Sequence, residues 1–188
     1  VKPSKPAKPS FNPDAGKTKF VDVSDNAWYA SAVDYVVDKG LMNGTGSNKF
    51  SPNADTTRGM IVTILARVEG VNTNGTPWYA AGQKWATANG ISDGTNMTGK
   101  ITREQLAAIL YRYTAKYAPD ATGNAASLAA YPDAGSVSAY ARDAMAWAVG
   151  NGLIKGLPHD KTDYLEPGGS TTRAQVATIL MRYEQATA

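Results

Sequence analysis

Three stretches of the chain carry the same apolar stripe. Ile61, Ile64, Leu65 and Val68 follow Arg58; Leu106, Ile109, Leu110 and Tyr113 follow Arg103; Val176, Ile179, Leu180 and Tyr183 follow Arg173. In every copy the apolar residues fall three, six, seven and ten positions after the Arg, which is one face of a helix. A Thr precedes each Arg, at Thr57, Thr102 and Thr172. Thr is a favoured N-cap, and Thr102-x-x-Gln105 and Thr172-x-x-Gln175 fit the reciprocal capping box. Met60 stands at the Gln position of the first copy and is expected to leave that box half made.

A second helix is predicted ahead of each stripe. It starts at an aromatic residue (Trp28, Trp78 or Tyr140), has a small residue four positions on (Ala32, Gly82 or Ala144), and places a second aromatic at Tyr35, Trp85 or Trp147. The two aromatics are two turns apart and so are expected on one face. Gly40, Gly90 and Gly152 stand where a left-handed C′ residue ends a helix, and an apolar residue follows each: Leu41, Ile91, Leu153. Gly44, Gly94 and Gly156 come next and are expected to supply positive φ in a turn.

Fixed blocks joined by loops of unequal length are the mark of repeated helix–loop–helix units. The loop from Gly94 to Arg103 is the shortest of the three, and it lacks the Phe50-x-Pro52 and Leu165-x-Pro167 pattern of the others. One unit cannot bury both of its stripes, so the three are predicted to pack around a shared axis as one all-α assembly. The expected organisation is a linker over 1–19 and repeats over 20–70, 71–118 and 119–188. A stretch near Ala115–Ala139, rich in Ala, Gly and Asn, reads as a long surface connection.

Composition narrows the chemistry. Five lysines (2, 5, 8, 17 and 19) crowd the Pro-rich first segment, so the formal charge of +3 belongs to that segment and residues 20–188 are close to neutral. A broad basic face for nucleic acid is therefore not expected. The Lys/Pro/Ser segment reads as an extended linker joining this module to a cargo domain elsewhere. No apolar run approaches the roughly 20 residues of a membrane-spanning helix.

With no cysteine and a single His159, in the loop Leu157-Pro158-His159-Asp160, the chain offers neither a thiolate metal site nor a catalytic triad. Asp22-x-x-Asp25 and Asp160-x-x-Asp163 miss the calcium-loop spacing, and no phosphate loop is present. No cofactor is expected, and an enzyme is not.

The recurrent Arg residues ask for a partner. A cation in the first turn opposes the helix dipole. Arg58, Arg103 and Arg173 therefore form either salt bridges to a neighbouring repeat or an anion site shared by guanidinium and helix end; the second reading is favoured. Arg67, Arg112 and Arg182, near the helix C-termini, complement the dipole, and a structural role suffices for them. Trp28, Trp78 and Tyr140 are either core residues or platforms for a sugar face. Gly44, Gly94 and Gly156 shape turns or admit a ligand close to the backbone.

Taken together, Phe20-x-Asp22-Val23, Trp28-Tyr29, Gly40-Leu41-Met42-x-Gly44, Phe50-x-Pro52 and Thr57-Arg58 resemble the S-layer homology (SLH) family. The third block is similar through Tyr131-Pro132-Asp133, Gly152-Leu153-Ile154-x-Gly156 and Thr172-Arg173-Ala174-Gln175. The middle block is similar through Trp78-Tyr79, Gly90-Ile91-x-x-Gly94 and Thr102-Arg103. The resemblance implies three repeats in a helical pseudo-trimer shaped as a three-pronged spindle, on the surface of a bacterium. It also implies inter-repeat grooves that bind secondary cell-wall polysaccharide bearing pyruvylated N-acetylmannosamine. It assigns the glycan's charge to Arg58, Arg103 and Arg173 and the groove walls to Trp28, Trp78 and Tyr140. Asp22, Asp133 and the turn glycines would shape the floor or accept sugar hydroxyls. The alternative is an assembly module of a surface layer whose grooves hold protein. The family's Thr-Arg-Ala-Glu is altered here, with Met60, Gln105 and Gln175 at the Glu position.

Overall fold

The computed structural model describes residues 20–187; the Lys/Pro-rich linker lies outside the described residues. Six α-helices dominate: α1 Ala30–Asp38, α2 Arg58–Val68, α3 Ala80–Ala88, α4 Arg103–Tyr117, α5 Arg142–Gly150 and α6 Arg173–Ala186. The all-α expectation holds apart from a two-stranded antiparallel hairpin in the last loop, β1 Leu157–His159 and β2 Thr162–Tyr164. His159 sits on this hairpin as the expected surface residue and pairs with Glu166.

The three long-stripe helices start as the Thr-x-x-Gln pattern requires. Thr57, Thr102 and Thr172 each accept at Oγ1 from the backbone N–H of the third helical residue at 3.3 Å. Gln105 and Gln175 return the bond to the Thr N–H at 3.1 and 3.0 Å. Met60 does so as well, contrary to expectation, through its thioether at 3.5 Å; sulfur is a weak acceptor, so the box is weakened rather than broken.

Helices α1, α3 and α5 end as predicted. Gly40, Gly90 and Gly152 have φ of +66°, +67° and +66°, and Leu41, Ile91 and Leu153 then fold back to bond the carbonyls of Val36, Ala86 and Ala148. The starts differ from expectation. Trp28 and Trp78 lie in turns closed by Ala30 N–H to Ala27 and Ala80 N–H to Pro77, and Tyr140 lies in a 3₁₀ turn over Ala139–Ala141. These aromatics precede the helices and do not share the buried face of Tyr35 and Trp147. Periodicity holds only within a helix, so it did not carry across the turn.

Helices pair across the repeat boundaries: α2 with α3, α4 with α5, and α6 with α1. Close approach needs the small residues seen in the sequence. A Cβ on Gly82 would stand 2.9 Å from the backbone of Thr63, and Ala32 and Ala144 are likewise buried. The last pair joins the final helix to the first and closes the ring.

At the axis the three blocks bond directly. Thr56 N–H donates to Thr171 at 2.9 Å, Thr171 N–H to Ile101 at 3.1 Å, and Ile101 N–H to Thr56 at 2.8 Å. All three residues are fully buried. The apolar stripes surround this ring as one core containing Ile61, Leu106 and Val176. The Ala/Gly-rich connection is not a loose surface loop. It lies against α5, where Trp147 donates from Nε1 to Ala121 at 2.9 Å and Ala126 N–H donates to Ala146 at 2.9 Å.

Candidate functional site: three grooves between blocks

Each long-stripe helix begins against the loop of the next block. The first two helical N–H groups donate to loop carbonyls: Arg58 and Gly59 to Gly99 and Met97, Arg103 and Glu104 to Gly169 and Pro167, Arg173 and Ala174 to Ala54 and Pro52. With the third N–H capped by Thr, these helix ends are closed to a ligand. The expected anion site made jointly by helix end and guanidinium is corrected here: tertiary contacts satisfy the orphan donors.

The Arg side chains follow the same circuit. Arg103 donates from Nε to Leu165 at 2.6 Å and from Nη2 to Lys155 at 2.7 Å. Arg173 donates from Nε to Phe50 at 2.8 Å and from Nη2 to Asn43 at 2.6 Å. In both residues Nη1 has no partner among the described residues. Burial lowers the pKa of both, opposed at Arg103 by Glu166 and Asp133 and at Arg173 by Asp22; a guanidinium nevertheless stays charged.

Arg58 differs. The shortened middle loop places Thr95 where Phe50 and Leu165 stand in the other blocks, and Arg58 Nε is buried without a partner among the described residues. Its Nη2 instead donates to the Asp93 carboxylate at 2.6 Å, with weaker contacts to Ser92 and Thr95. The internal salt bridge weighed from sequence thus occurs at one Arg of three.

Two grooves are open. The first, about 310 Å³, lies between α6 and the loop 153–157 and is bounded by Trp28, with Arg103, Lys155 and Arg182 along it. The second, about 270 Å³, lies between α2 and the loop 41–45 and is bounded by Trp78, with Arg67 and Arg173 along it. Each therefore takes its helix and loop from one block, its aromatic from the next and its buried Arg from the one remaining. No block makes a groove alone.

A third position is built in the same way from α4, the loop 91–95, Tyr140 and Arg58. Burial first, and then the Glu104 carboxylate, raises the Tyr140 phenol above its ordinary value, while Arg58 and Arg112 pull it back.

The aromatics expose their rings. Trp28, Trp78 and Tyr140 are 67%, 46% and 53% accessible, so the core reading weighed from sequence does not hold for them. Tyr29 and Tyr79 support the two indoles edge-on at 5.2 and 5.3 Å between centroids. Gly59 gives Trp78 its seat, since a Cβ there would reach 3.1 Å from the indole.

The glycines at the groove mouths need correction. Only Gly94 has positive φ, +75°. Gly44 is required because a Cβ would meet the Phe20 ring at 2.7 Å, and Gly156 because it would meet the Tyr131 ring at 2.8 Å. Both line the open grooves.

Asp22 and Asp133 use both carboxylate oxygens on backbone N–H groups. Asp22 accepts from Phe50 and Ser51 at 2.8 Å each, and Asp133 from Leu165 and Glu166 at 2.9 and 2.7 Å. They hold the carbonyls that receive the Arg residues.

The structural role that sequence reasoning gave Arg67 and Arg182 is incomplete, since both line the grooves as well as complementing helix dipoles. Arg67 donates to Thr73 at 2.8 Å, and Arg182 reaches the Leu153 carbonyl at 3.4 Å. Their recurrence nine positions after the first Arg was the available signal. Sequence reasoning passed over Thr63 and Thr178 and the residue before each groove glycine, Asn43, Asp93 or Lys155.

A closed ring of three helix pairs, with grooves edged by exposed aromatics and lined by cations, defines a repeat-built module. Residues 19–59 and 130–177 match the family model of the S-layer homology domain. The first and last blocks thus match the S-layer homology domain and, with relatives named S-layer proteins, mark the chain as a cell-wall anchoring or surface-layer module of the bacterial cell surface. The whole of the divergent middle block, 71–118, falls outside the two matched segments.

The chain is similar to an S-layer protein of Bacillus thuringiensis subsp. finitimus, at 25% identity over 91% of this chain and 22% of that protein. It is also similar to the S-layer protein sap of Bacillus anthracis, at 30% identity over 51% of this chain and 13% of that protein. An amylopullulanase of Thermoanaerobacterium thermosulfurigenes is 25% identical over 86% of this chain but only 9% of its own length. The chain thus spans less than a quarter of these relatives.

Proposed function

We propose that this chain is a non-catalytic anchor that holds an anionic cell-wall glycan, of the pyruvylated N-acetylmannosamine type, in its inter-block grooves. The observation that carries this reading is the Trp28 groove, where Arg103, Lys155 and Arg182 line one cavity with no acid among its lining residues. Such a site suits a carboxylate-bearing sugar. The ring face stacks on the indole while Nη1 of the buried Arg and the nearby cations take the carboxylate.

The Trp78 groove offers Arg173 and Arg67 in the same arrangement. Gly44 and Gly156 keep the loop backbone low enough for close approach, and Asp22 and Asp133 act by holding the loops rather than by touching sugar. A cargo domain joined through the Lys/Pro-rich linker is the matching architecture, since the relatives are several times longer than the matched region.

Titration calorimetry with pyruvylated and depyruvylated wall glycan tests the reading. Binding of the pyruvylated form alone is expected, and equal affinity for the two forms overturns the carboxylate assignment. Failure to pellet with protein-free wall sacculi, together with self-association in solution, would favour the surface-layer assembly reading instead.

A further inference from the structure

We infer that Asp93 is an internal counter-ion that closes the third groove to carboxylates, so that this chain takes its anionic glycan beside Trp28 and Trp78 only, and more tightly beside Trp28. The inference rests on the glycan reading above and adds which grooves work and why.

The argument starts from one position. The residue before the groove glycine is Asn43, Asp93 or Lys155 in the three blocks, and its backbone or side chain meets the Arg that reaches in from another block. At Asn43 and Lys155 the carbonyl takes one N–H of Arg173 or Arg103, and Nη1 is left without a partner among the described residues. At Asp93 the carboxylate itself takes Nη2 of Arg58 at 2.6 Å. A tethered carboxylate competes at an effective concentration on the order of millimolar or more, so a weakly held sugar acid is displaced.

A second acid strengthens the effect. The residue after the first-turn Arg is Gly59 or Ala174 beside the Trp grooves but Glu104 in the third, where it accepts from Ser138 and from the Tyr140 hydroxyl. The third groove therefore faces Arg58 and Arg112 with two carboxylates. The Trp28 groove has Lys155 in addition to its two Arg residues and no acid among its lining residues, although Glu166 and Asp133 act on Arg103 from outside that lining. Asp93 is held charged chiefly by the Thr95 N–H it accepts, with Arg58 adding to this. In the shortened middle loop no carbonyl of the described residues receives Arg58 Nε, which is buried and unpaired.

The test uses residues 1–188 and, as probe, the methyl glycoside of 4,6-pyruvylated N-acetylmannosamine, followed by NMR. In the wild type the indole signals of Trp28 and Trp78 shift on titration, with the Trp28 midpoint the lower, while the Thr95 amide stays still. Asp93→Asn keeps an acceptor for the Thr95 N–H and so preserves the turn. In this variant, or in the Asp93→Asn/Glu104→Gln double variant, Thr95 joins the titration. Lys155→Gln raises the Trp28 midpoint about two- to fivefold, the worth of an exposed charge pair.

Thr95 shifting in the wild type with the Trp28 midpoint overturns the inference alone, as does a silent third groove in both folded variants. Silence at all three grooves in every protein overturns the glycan reading and this inference with it.

Discussion

Arg173 in the last block donates from Nε to the carbonyl of Phe50, 123 residues earlier, at 2.8 Å, and its guanidinium lies over the Phe50 ring at 4.6 Å from the centroid. This contact joins the end of the chain to its beginning and gives one side chain two duties. It fastens the ring of blocks, and it leaves one N–H edge at the floor of the Trp78 groove.

The buried Arg residues are therefore expected to matter for stability before any ligand is added. Arg103 is 3% exposed and donates to two carbonyls. Arg103→Ala should lower unfolding free energy by about 2–4 kcal/mol, since bonds to charged donors are the stronger class and their acceptors would be left unpaired. Arg58→Ala should cost about 1 kcal/mol or less, because its partner Asp93 is 63% exposed. Urea denaturation of the two variants separates the cases.

Trp28 predicts the opposite balance. With 67% of its surface accessible, Trp28→Ala should shift stability by no more than about 0.5 kcal/mol. The same variant should lose about tenfold in affinity for pyruvylated glycan, the worth of a stacked aromatic face. Calorimetry and thermal melting on one preparation read both quantities.

The axis contains a removable defect. Thr56 Oγ1 and Thr171 Oγ1 are buried with no partner among the described residues, whereas the third equivalent position is the apolar Ile101. Thr56→Val keeps the shape and removes an unsatisfied hydroxyl, so it should stabilise the protein by about 1 kcal/mol. A lower midpoint in urea would refute this.

Acid should loosen the loops that receive the Arg residues. Burial alone would raise Asp22, but the backbone N–H groups of Phe50 and Ser51 outweigh it and hold the carboxyl below its usual range. A depressed folded pKa contributes stability above the unfolded value, lost as pH falls through about 4 towards the folded value. The melting-temperature gap between wild type and Asp22→Asn should accordingly be constant near neutrality and shrink below about pH 4. A gap unchanged at pH 3 would argue against the assignment.

Close approach, rather than backbone conformation, is the expected reason for Gly44. Gly44→Ala would push a Cβ to 2.7 Å from the Phe20 ring and 2.9 Å from the Lys49 carbonyl. Destabilisation of about 1–3 kcal/mol should follow in denaturation, the usual cost of overpacking.

The sequence by itself determined most features that depend on near neighbours along the chain, though not the starts of α1, α3 and α5 or the backbone of Gly44 and Gly156. The capping Thr residues, the apolar stripes, the left-handed Gly40, Gly90 and Gly152 and the repeat of helix pairs were all legible, because caps and periodicity act within a turn or two of helix. The tertiary structure alone decided where those elements point their polar groups. The first-turn N–H groups looked free until loops from other blocks covered them. Arg103 and Arg58 looked equivalent until the fold gave Arg103 two carbonyls and left Arg58 with the Asp93 carboxylate on Nη2 and no acceptor for Nε among the described residues. Trp28 belongs to one block by sequence and to the groove of another by position, with its charged partner Arg103 in the third. A groove assembled from three distant segments has no local signature, since the contacts that define it exist only once the ring has closed.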